Sequence, residues 1–412
     1  MSARVTVLTA GHLSMCPRML KAADALVEAG YRVRVVSTRF VPWGFAADAD
    51  LVARRKGAWS WTAVDYRPES GLLHGWSRLR RKSAELVADR VGLERAPLDL
   101  LANTVNRVHP ELVKAVLAEP TDLIYAGSAG ALATAALAGR KKGVRYALDL
   151  EDFHTGERPP DDPLTAVYAR IEREVLPGAS FVTTATEPMA SAYENLYRIR
   201  ARVVHNTFAL PADAPPLEPG PRGLRIAWFG QTIGPGRGLE QAIDLLGRVG
   251  GAAVFEIRGR ALEDFWEELD RRAAAVAPRL VLVRRPPCPP DELIPALRGA
   301  DVGLALEPGE PLNNRLLLSN KALTYPLAGL AVAISATPGQ RDYAAALGEG
   351  AVVAEPGDVE TLAAGLAAWS KDRKKLARAR RAAWEAAHSR WHFEHPQERG
   401  VLLAAVREAL GR

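Results

Sequence analysis

The chain of 412 residues is longer than one ordinary hydrophobic core, so its length favours two or more domains. Apolar residues make up 48% and charged residues 25%, which is typical of a soluble globular protein and excludes a disordered one. The formal net charge of +6 favours phosphate-bearing ligands or an anionic membrane surface as partners. A plain excess of surface arginine would give the same charge.

The two cysteines, Cys16 and Cys288, are far apart, which excludes a disulfide scaffold and a thiolate zinc cluster and favours a reducing compartment. The N-terminus runs almost directly into a strand-like segment, without the pattern of a signal peptide. No run of eighteen uncharged apolar residues occurs. We therefore expect a cytoplasmic protein without a spanning helix.

Strand-like and helix-like segments alternate through the first half of the chain. "RVTVLTA" predicts a strand and residues 17–30 a helix, in which Pro17 occupies the first turn and Gly30 ends the helix. Further strands are predicted at 121–127, 145–152, 180–186 and 202–206, with helices between most of them. Short apolar strands that alternate with helices are typical of βαβ units and a parallel sheet.

A proline-rich stretch at 209–223 interrupts this pattern, after which a strand, a glycine-rich loop and a helix begin again. The sequence predicts an N-terminal Rossmann-like domain at 1–208, a linker at 209–223 and a second Rossmann-like domain at 224–390. A C-terminal helix within 391–412 is expected to pack back on the first domain. In such sheets, ligands bind beyond the carboxyl ends of the strands. The loops expected there are 10–18, 126–130, 150–157, 229–238, 258–260, 284–288 and 307–321.

The loop "FGQTIGPGRG" that opens the second domain is suited to an anion. Its glycines allow close approach of the backbone, and the following helix offers free N–H groups and the positive end of its dipole. Arg237 could add a contact to phosphate. The loop matches neither the Walker pattern nor the dinucleotide fingerprint, so a plain strand-to-helix turn is an alternative interpretation.

With these segments in order, the chain resembles the GT-B glycosyltransferases, in particular the large retaining class (family 4-like) that uses nucleotide sugars. Five segments, in this order, carry the resemblance: "PRMLKAADALVEAGYRVRVVS", "ASFVTTATEPMASAY", "RVVHNTF", "IAWFGQTIGPGRGLEQAI" and "SNKALTYPLAGLAVAIS". The last is similar to the family's "PNKLFEYMAAGLPVI". The resemblance covers nearly the whole chain. It implies an α/β protein of two doubly wound Rossmann-like domains that face an interdomain cleft.

The resemblance also implies the donor-binding residues. Gly230 to Gly238, including Gly236, would approach the pyrophosphate, with Gln231 at the family's arginine position and Arg237 at its lysine position. The base would lie near Arg258, Gly259 and the stretch from Arg285 to Cys288, and the phosphates near Asn320 and Lys321.

The largest departure from the family concerns the ribose. The position of the glutamate that grips the ribose hydroxyls holds Thr324, and the preceding acid of the paired motif falls at Leu316. Glu307 and Glu310, upstream, could compensate. The departure leaves open a non-catalytic member of the fold.

The stretch "DLEDFHTGERPP" at 149–160 allows three interpretations: a metal site, a solvated turn or a catalytic loop. The resemblance implies no metal. The family has a histidine at this strand end, in a stretch like "DAHDL". Here Glu151 occupies the histidine position, Asp152 matches the following acid, and His154 arrives three residues later. Whether Glu151 or His154 contacts the sugar is left open.

The resemblance implies a retaining transferase with a UDP-, GDP- or dTDP-linked donor on the second domain, an acceptor on the first, and no cofactor. Gly11 and Arg18 would meet the acceptor or the donor phosphate. The acceptor could be a small natural product, a lipid or glycolipid, or a polysaccharide, and no nucleic acid is expected. The basic helix at 78–90 would suit a membrane-bound acceptor and peripheral association with the inner membrane face. The alternatives are a non-catalytic binding protein, an epimerase of the same fold and, least favoured, a nicotinamide-dependent oxidoreductase.

Overall fold

The computed structural model describes residues 2–220 and 223–411, and it divides into two compact units. The first unit comprises residues 1–205, 311–313 and 396–412, and the second comprises 206–310 and 314–395. Each unit is built on its own sheet, and every strand pair in both sheets is parallel. The expected fold class, two doubly wound α/β domains, is confirmed.

The first unit has a seven-stranded sheet in the order β3-β2-β1-β4-β5-β6-β7. Its strands are β1 (Arg4–Thr9), β2 (Arg32–Arg39), β3 (Ser60–Asp65), β4 (Leu123–Gly127), β5 (Arg145–Leu150), β6 (Val182–Thr184) and β7 (Ala201–Val203). Its first eight helices are α1 (Pro17–Glu28), α2 (Pro42–Arg54), α3 (Leu72–Val91), α4 (Leu98–Val105), α5 (His109–Leu117), α6 (Ala129–Lys142), α7 (Pro163–Val175) and α8 (Glu187–Tyr197). Strand order reverses between β1 and β4, which is the point where doubly wound sheets bind ligands.

The second unit has a six-stranded sheet in the order β10-β9-β8-β11-β12-β13. Its strands are β8 (Leu224–Ile233), β9 (Ala253–Ala261), β10 (Leu280–Arg285), β11 (Val302–Ala305), β12 (Ala331–Ser335) and β13 (Ala351–Ala354). The helices that follow in the chain are α9 (Leu239–Val249), α10 (Glu263–Val276), α11 (Leu293–Leu297), α12 (Leu312–Leu316), α13 (Asn320–Leu327), α14 (Pro338–Leu347), α15 (Val359–Lys371) and α16 (Arg373–Ser389). Here the order reverses between β8 and β11.

The last helix, α17 (Val401–Ala409), belongs to the first unit. Arg145, the first residue of β5, donates to the carbonyl of Ala409. The Arg202 guanidinium pairs with Glu408. Upstream of this helix, the buried carboxylate of Glu398 accepts from the backbone N–H of His205 at 2.6 Å. These contacts attach the C-terminal segment to the sheet of the first unit.

The proline-rich segment is anchored to the second unit. The buried guanidinium of Arg380 donates to the carbonyl oxygens of Pro216 at 2.6 Å and Glu218 at 3.3 Å, and it also pairs with Asp301 at 3.0 Å. Arg373 donates to the carbonyl of Gly220 at 2.6 Å. Residues 221 and 222 of the predicted linker lie outside the described residues. The described part is thus held by arginines of α16.

Candidate active site

The candidate site of the first unit lies where β1, β4 and β5 end. These strands are neighbours in the sheet, so the loops that follow them meet at its carboxyl edge. The loop after β1 carries Gly11, whose N–H lies 3.3 Å from the Thr9 hydroxyl and whose carbonyl accepts from the Thr38 N–H at 3.1 Å. The loop after β5 begins at Glu151.

Arg18, on α1, is 5% exposed and is held by three acceptors. Its Nε donates to the Asp149 carboxylate at 2.6 Å, Nη2 donates to the Thr184 carbonyl at 3.3 Å, and Nη1 donates to the Val204 carbonyl. A buried cation needs such partners because its desolvation is costly. This guanidinium is held by groups of the protein interior, whereas the sequence predicts that it meets the acceptor or the donor phosphate.

Glu151 is half-buried at the end of β5. Burial, together with the charge of Asp152, raises the pKa of Glu151 to about 7, against the opposing charge of Arg18. Burial raises the pKa of the nearby Cys16 thiol to about 12, and its sulfur lies 3.0 Å from the Thr9 hydroxyl. The charge of Glu151 also acts on this thiol and raises its pKa. The thiol is therefore protonated at neutral pH, and Glu151 can exchange a proton near neutrality.

Asp152 is tied to Asn313, a residue that the sequence did not single out. The Asn313 side-chain amide donates to Asp152 Oδ1 at 2.9 Å, and its oxygen accepts from the Phe153 N–H at 2.8 Å. Burial raises the pKa of Asp152, while the Asn313 hydrogen bond opposes that shift. No sequence pattern connects residues 161 positions apart, so only the fold could reveal this pair.

His154 opens a 3-10 turn, His154–Gly156, and is 3% exposed. Its Nδ1 lies 2.8 Å from the Glu157 carboxylate, and its backbone N–H donates to the Tyr193 hydroxyl at 3.3 Å. Burial alone would lower the pKa of His154, but the Glu157 hydrogen bond and the charges of Glu172, Glu157 and Asp152 outweigh it and raise the pKa to about 9. The imidazole is therefore protonated at neutral pH. Its buried Nε2 has no hydrogen-bond partner among the described residues.

In the second unit, the glycine-rich loop begins later than the sequence indicates. Gly230 and Gln231 still belong to β8, whose pairing with β9 shifts register between Phe229 and Thr232. The turn itself contains Gly236 and Gly238, with φ of 73° and 74°, a backbone region that favours glycine. Gly238 caps α9. Arg237, between these two glycines, is exposed at the start of that helix, and Gln231 is exposed as well.

Lys321 and Glu307 form an ion pair beside this turn. The Lys321 ammonium lies 3.1 Å from the Glu307 carboxylate and 5.9 Å from the centre of the Trp228 ring. A methyl group added at Gly230 would collide with that ring, at 2.4 Å. One added at Gly238 would lie 3.7 Å from the carbonyl of Leu306, next to Glu307. The structure therefore brings together three expected donor positions: Gly230, the turn at Gly238 and Lys321.

Asn320 and Thr324 lie on α13, which Ser319 caps by accepting from the Lys321 N–H at 3.3 Å. The buried Thr324 hydroxyl donates to the Asn320 carbonyl at 2.7 Å, one helical turn earlier. The Asn320 side-chain oxygen accepts from Asn206 at 2.9 Å. The Thr324 side chain, at the position where the family has its ribose-binding glutamate, is thus turned to its own helix.

The residues expected near the base lie at the ends of β9 and β10. Arg258 donates to the Pro286 carbonyl at 2.8 Å, and Arg285 pairs with Glu256 at 2.9 Å. Gly259 packs so closely that an added methyl group would lie 2.6 Å from the Gly230 carbonyl. Arg258, Glu256 and Arg285 also line one small pocket.

Among the described residues, no group of three or more histidine, cysteine, aspartate or glutamate side chains is arranged to hold a metal ion. Similarly, no helix in residues 2–220 or 223–411 combines the length and apolar character required to cross a membrane.

Residues 15–207 match the family model described as "Glycosyl transferase 4-like domain". A search of curated proteins finds no match. Three solved structures are similar in fold. Anabaena HepE in complex with UDP is 15% identical with a TM-score of 0.65, covering 99% of each chain. An E. coli structure described as trehalose-6-phosphate bound with UDP-2-fluoro glucose is 15% identical with a TM-score of 0.66, covering 100% of this chain and 99% of that one. Sucrose-phosphate synthase from Thermosynechococcus elongatus is 12% identical with a TM-score of 0.67, covering 98% of each chain.

Proposed function

We propose that this enzyme transfers a sugar from a nucleotide diphosphate donor to an acceptor with retention of anomeric configuration. The proposal is supported by the match of residues 15–207 to the model of a glycosyl transferase 4-like domain and by the GT-B fold of the chain. The donor binds to the second unit. The reaction uses no metal. UDP is the first nucleotide to consider, since HepE and the E. coli structure are described with UDP or UDP-sugar ligands.

The observation that carries the proposal is the position of Lys321 beside the glycine turn. Its ammonium, the backbone at Gly236 to Gly238 and the N-terminus of α9 together offer a cation, free N–H groups and the positive end of a helix dipole. A diphosphate is the ligand such a set suits. Arg237, exposed in the same turn, adds a second cation.

In the proposed reaction, the bond between the anomeric carbon and the phosphate oxygen breaks, and its electron pair leaves with the diphosphate. Lys321 and the α9 N-terminus stabilise the charge that develops, which is usually the largest electrostatic contribution to catalysis. The acceptor oxygen attacks on the face that the phosphate leaves. The departing phosphate oxygen takes the acceptor proton, so no strong protein base is required.

Glu151 is the better candidate of the two groups that could face the sugar. It is half-buried at the strand end, whereas the His154 ring is 3% exposed in the turn behind it. Glu151 would accept a hydrogen bond from a sugar hydroxyl and hold the donor in a reactive orientation. His154, protonated and tied to Glu157, would hold the loop. Asp152 would do the same through Asn313.

The acceptor belongs to one of three classes: a small natural product, a lipid or glycolipid, or a polysaccharide. We place the reaction in the cytoplasm, with a nucleotide sugar as the donor of the transferred sugar.

A thermal-shift panel of UDP, GDP, dTDP and NAD tests the donor assignment. Stabilisation by one nucleoside diphosphate, lost in Lys321→Ala and retained in Lys374→Ala, is the expected result. Lys374 is an exposed lysine of α16 and serves as the matched control. Stabilisation by NAD alone, or by no nucleotide, would contradict the proposal.

A non-catalytic binding protein is the second candidate, favoured by the Thr324 hydroxyl, which is bonded within its own helix where the family has a glutamate. The two candidates differ in turnover. Release of nucleoside diphosphate from the matching nucleotide sugar supports the transferase, whereas nucleotide binding without release of product in the presence of members of all three acceptor classes supports the binding protein.

A further inference from the structure

Helix α3 presents large apolar side chains to solvent. Among the described residues, thirteen large apolar side chains are exposed, and six of them lie on this one helix: Leu72, Trp76, Leu79, Leu86, Val87 and Val91. Leu72 is 93% exposed, Leu86 66% and Trp76 60%. Single exposed apolar residues are ordinary, but a cluster on one element marks a surface that binds something.

These side chains form one stripe. Leu72, Trp76, Leu79 and Leu86 recur at spacings of four, three and seven residues, which places them on one face of a helix. The opposite face is held to the protein by the buried residues Ser77, Ala84 and Ala88. α3 has 20 residues, so the stripe lies along a helix about 30 Å long.

Helix α3 is also anchored at its sides. Arg80 pairs with the Glu111 carboxylate at 2.6 Å and donates to the Arg107 carbonyl at 2.6 Å. His74 Nδ1 lies 3.0 Å from the Tyr66 carbonyl oxygen. The exposed stripe therefore belongs to a helix that is held in place on the first unit.

Basic side chains flank the stripe. Arg78 and Lys82 are exposed along one side and Arg90 at its C-terminal end, whereas Arg81 pairs with Glu85 of the same helix. Asp89 is the one further acid on α3. An apolar stripe with cations beside it matches the acyl region and the anionic headgroups of a membrane surface.

The second basic helix of the chain provides a comparison. α16 carries more basic residues, but none of the exposed large apolar side chains of the described chain lies on it. Its Arg380 is buried and pairs with Asp301. Charge is common to both helices, while the combination with an apolar stripe is specific to α3.

We propose that α3 docks this protein on an anionic lipid bilayer, with Trp76, Leu79 and Leu86 inserted at the headgroup boundary and Arg78, Lys82 and Arg90 against the lipid phosphates. The helix lies in the plane of the surface. The proposal does not depend on sugar transfer, because it concerns a surface on α3 and not the strand-end loops.

Vesicle co-sedimentation of the full chain tests it, with vesicles of phosphatidylcholine alone and vesicles that also contain phosphatidylglycerol. We expect binding to the anionic vesicles and little binding to the neutral ones. Trp76→Ser with Leu86→Ser removes two of the three inserted side chains and should lower the partition coefficient roughly tenfold or more. Arg78→Gln with Lys82→Gln should lower it by a similar factor, and raised salt should do the same.

Two matched controls distinguish binding through α3 from non-specific adsorption of the protein to vesicles. Leu196→Ser removes a 57% exposed leucine on α8, and Lys374→Gln with Arg378→Gln removes two exposed cations on α16. Both controls should bind anionic vesicles like the wild type. Equal binding by the Trp76/Leu86 variant and the wild type would overturn the proposal. So would a dimer, measured by sedimentation without lipid, that dissociates in that variant, since a second copy would then cover the stripe.

Discussion

The ammonium group of Lys321 lies 3.1 Å from the carboxylate of Glu307, at the point where the sheet of the second unit reverses its strand order. Lys321 is the second residue of α13, and Glu307 lies two residues after the end of β11. A diphosphate that binds to this lysine competes with the carboxylate. If Lys321 binds the donor diphosphate as proposed, we expect Glu307 to weaken the attraction of the site for phosphate.

Glu307→Gln should raise affinity for inorganic pyrophosphate several-fold, because it removes a negative charge beside Lys321. Isothermal titration with pyrophosphate measures this, with Glu310→Gln as the control. If Glu307 also grips the ribose, the same variant should bind the nucleoside diphosphate more weakly while binding pyrophosphate more tightly. Weaker binding of pyrophosphate itself would contradict the account.

Glu151→Gln should lower turnover by about a hundredfold or more, because the neutral amide is a poorer acceptor for a sugar hydroxyl. His154→Gln, which acts through the loop, should cost about tenfold. Release of nucleoside diphosphate under saturating donor measures both. A larger loss in His154→Gln than in Glu151→Gln would show that the histidine, and not the glutamate, contacts the sugar.

The pH dependence of stability offers a separate test of Glu151. Its folded pKa is raised from 4.5 to about 7, so its protonated form stabilises the fold fully below about pH 4.5, and that contribution is lost as the pH rises through 7. The Tm of Glu151→Gln minus that of the wild type should therefore increase between pH 5 and pH 8, by roughly 5 °C. A constant difference would show that this carboxyl does not titrate in that range.

His154 should show a different pH window. Its folded pKa is raised from 6.5 to about 9, so the imidazolium stabilises the fold fully below pH 6.5, and this contribution is lost as the pH rises through 9. We expect His154→Gln to lower Tm at pH 7 and the difference from the wild type to shrink above pH 9. The scan is to be repeated with Glu157→Gln, which removes the carboxylate at 2.8 Å and should shift the window to lower pH.

Arg18→Ala should destabilise the first unit by about 3–5 kcal/mol, since it leaves the Asp149 carboxylate buried without its cation. Arg32→Ala, at an exposed arginine, should change the free energy of unfolding by less than about 0.5 kcal/mol. Urea unfolding followed by circular dichroism distinguishes the two. Arg18→Ala at wild-type stability would return this residue to the list of candidate ligand contacts.

The sequence predicts the fold well because strand and helix periodicity are local. The restart of the pattern after the proline-rich stretch matches the beginning of β8, and Pro17 and Gly30 flank α1. The glycine loop begins later than the sequence pattern predicts, because residues 230–233 continue β8 through a register shift that no residue pattern indicates.

The partners of site residues were less predictable than the elements. Arg18 forms hydrogen bonds with Asp149 and Val204, which follow it by 131 and 186 positions in the chain. Asp152 forms one with Asn313, which is 161 positions away. Such pairs depend on how distant loops meet at a sheet edge. By contrast, Glu157 lies only three residues after His154, so a contact between these two side chains across one turn could be predicted from the sequence.

The central claim is that Lys321 holds the donor diphosphate. Isothermal titration of the nucleoside diphosphate chosen by the thermal-shift panel tests it most directly, on the wild type, Lys321→Ala and Lys374→Ala. The account predicts a loss of affinity of roughly tenfold to a hundredfold in Lys321→Ala, and wild-type affinity in Lys374→Ala. Wild-type affinity in Lys321→Ala would contradict it.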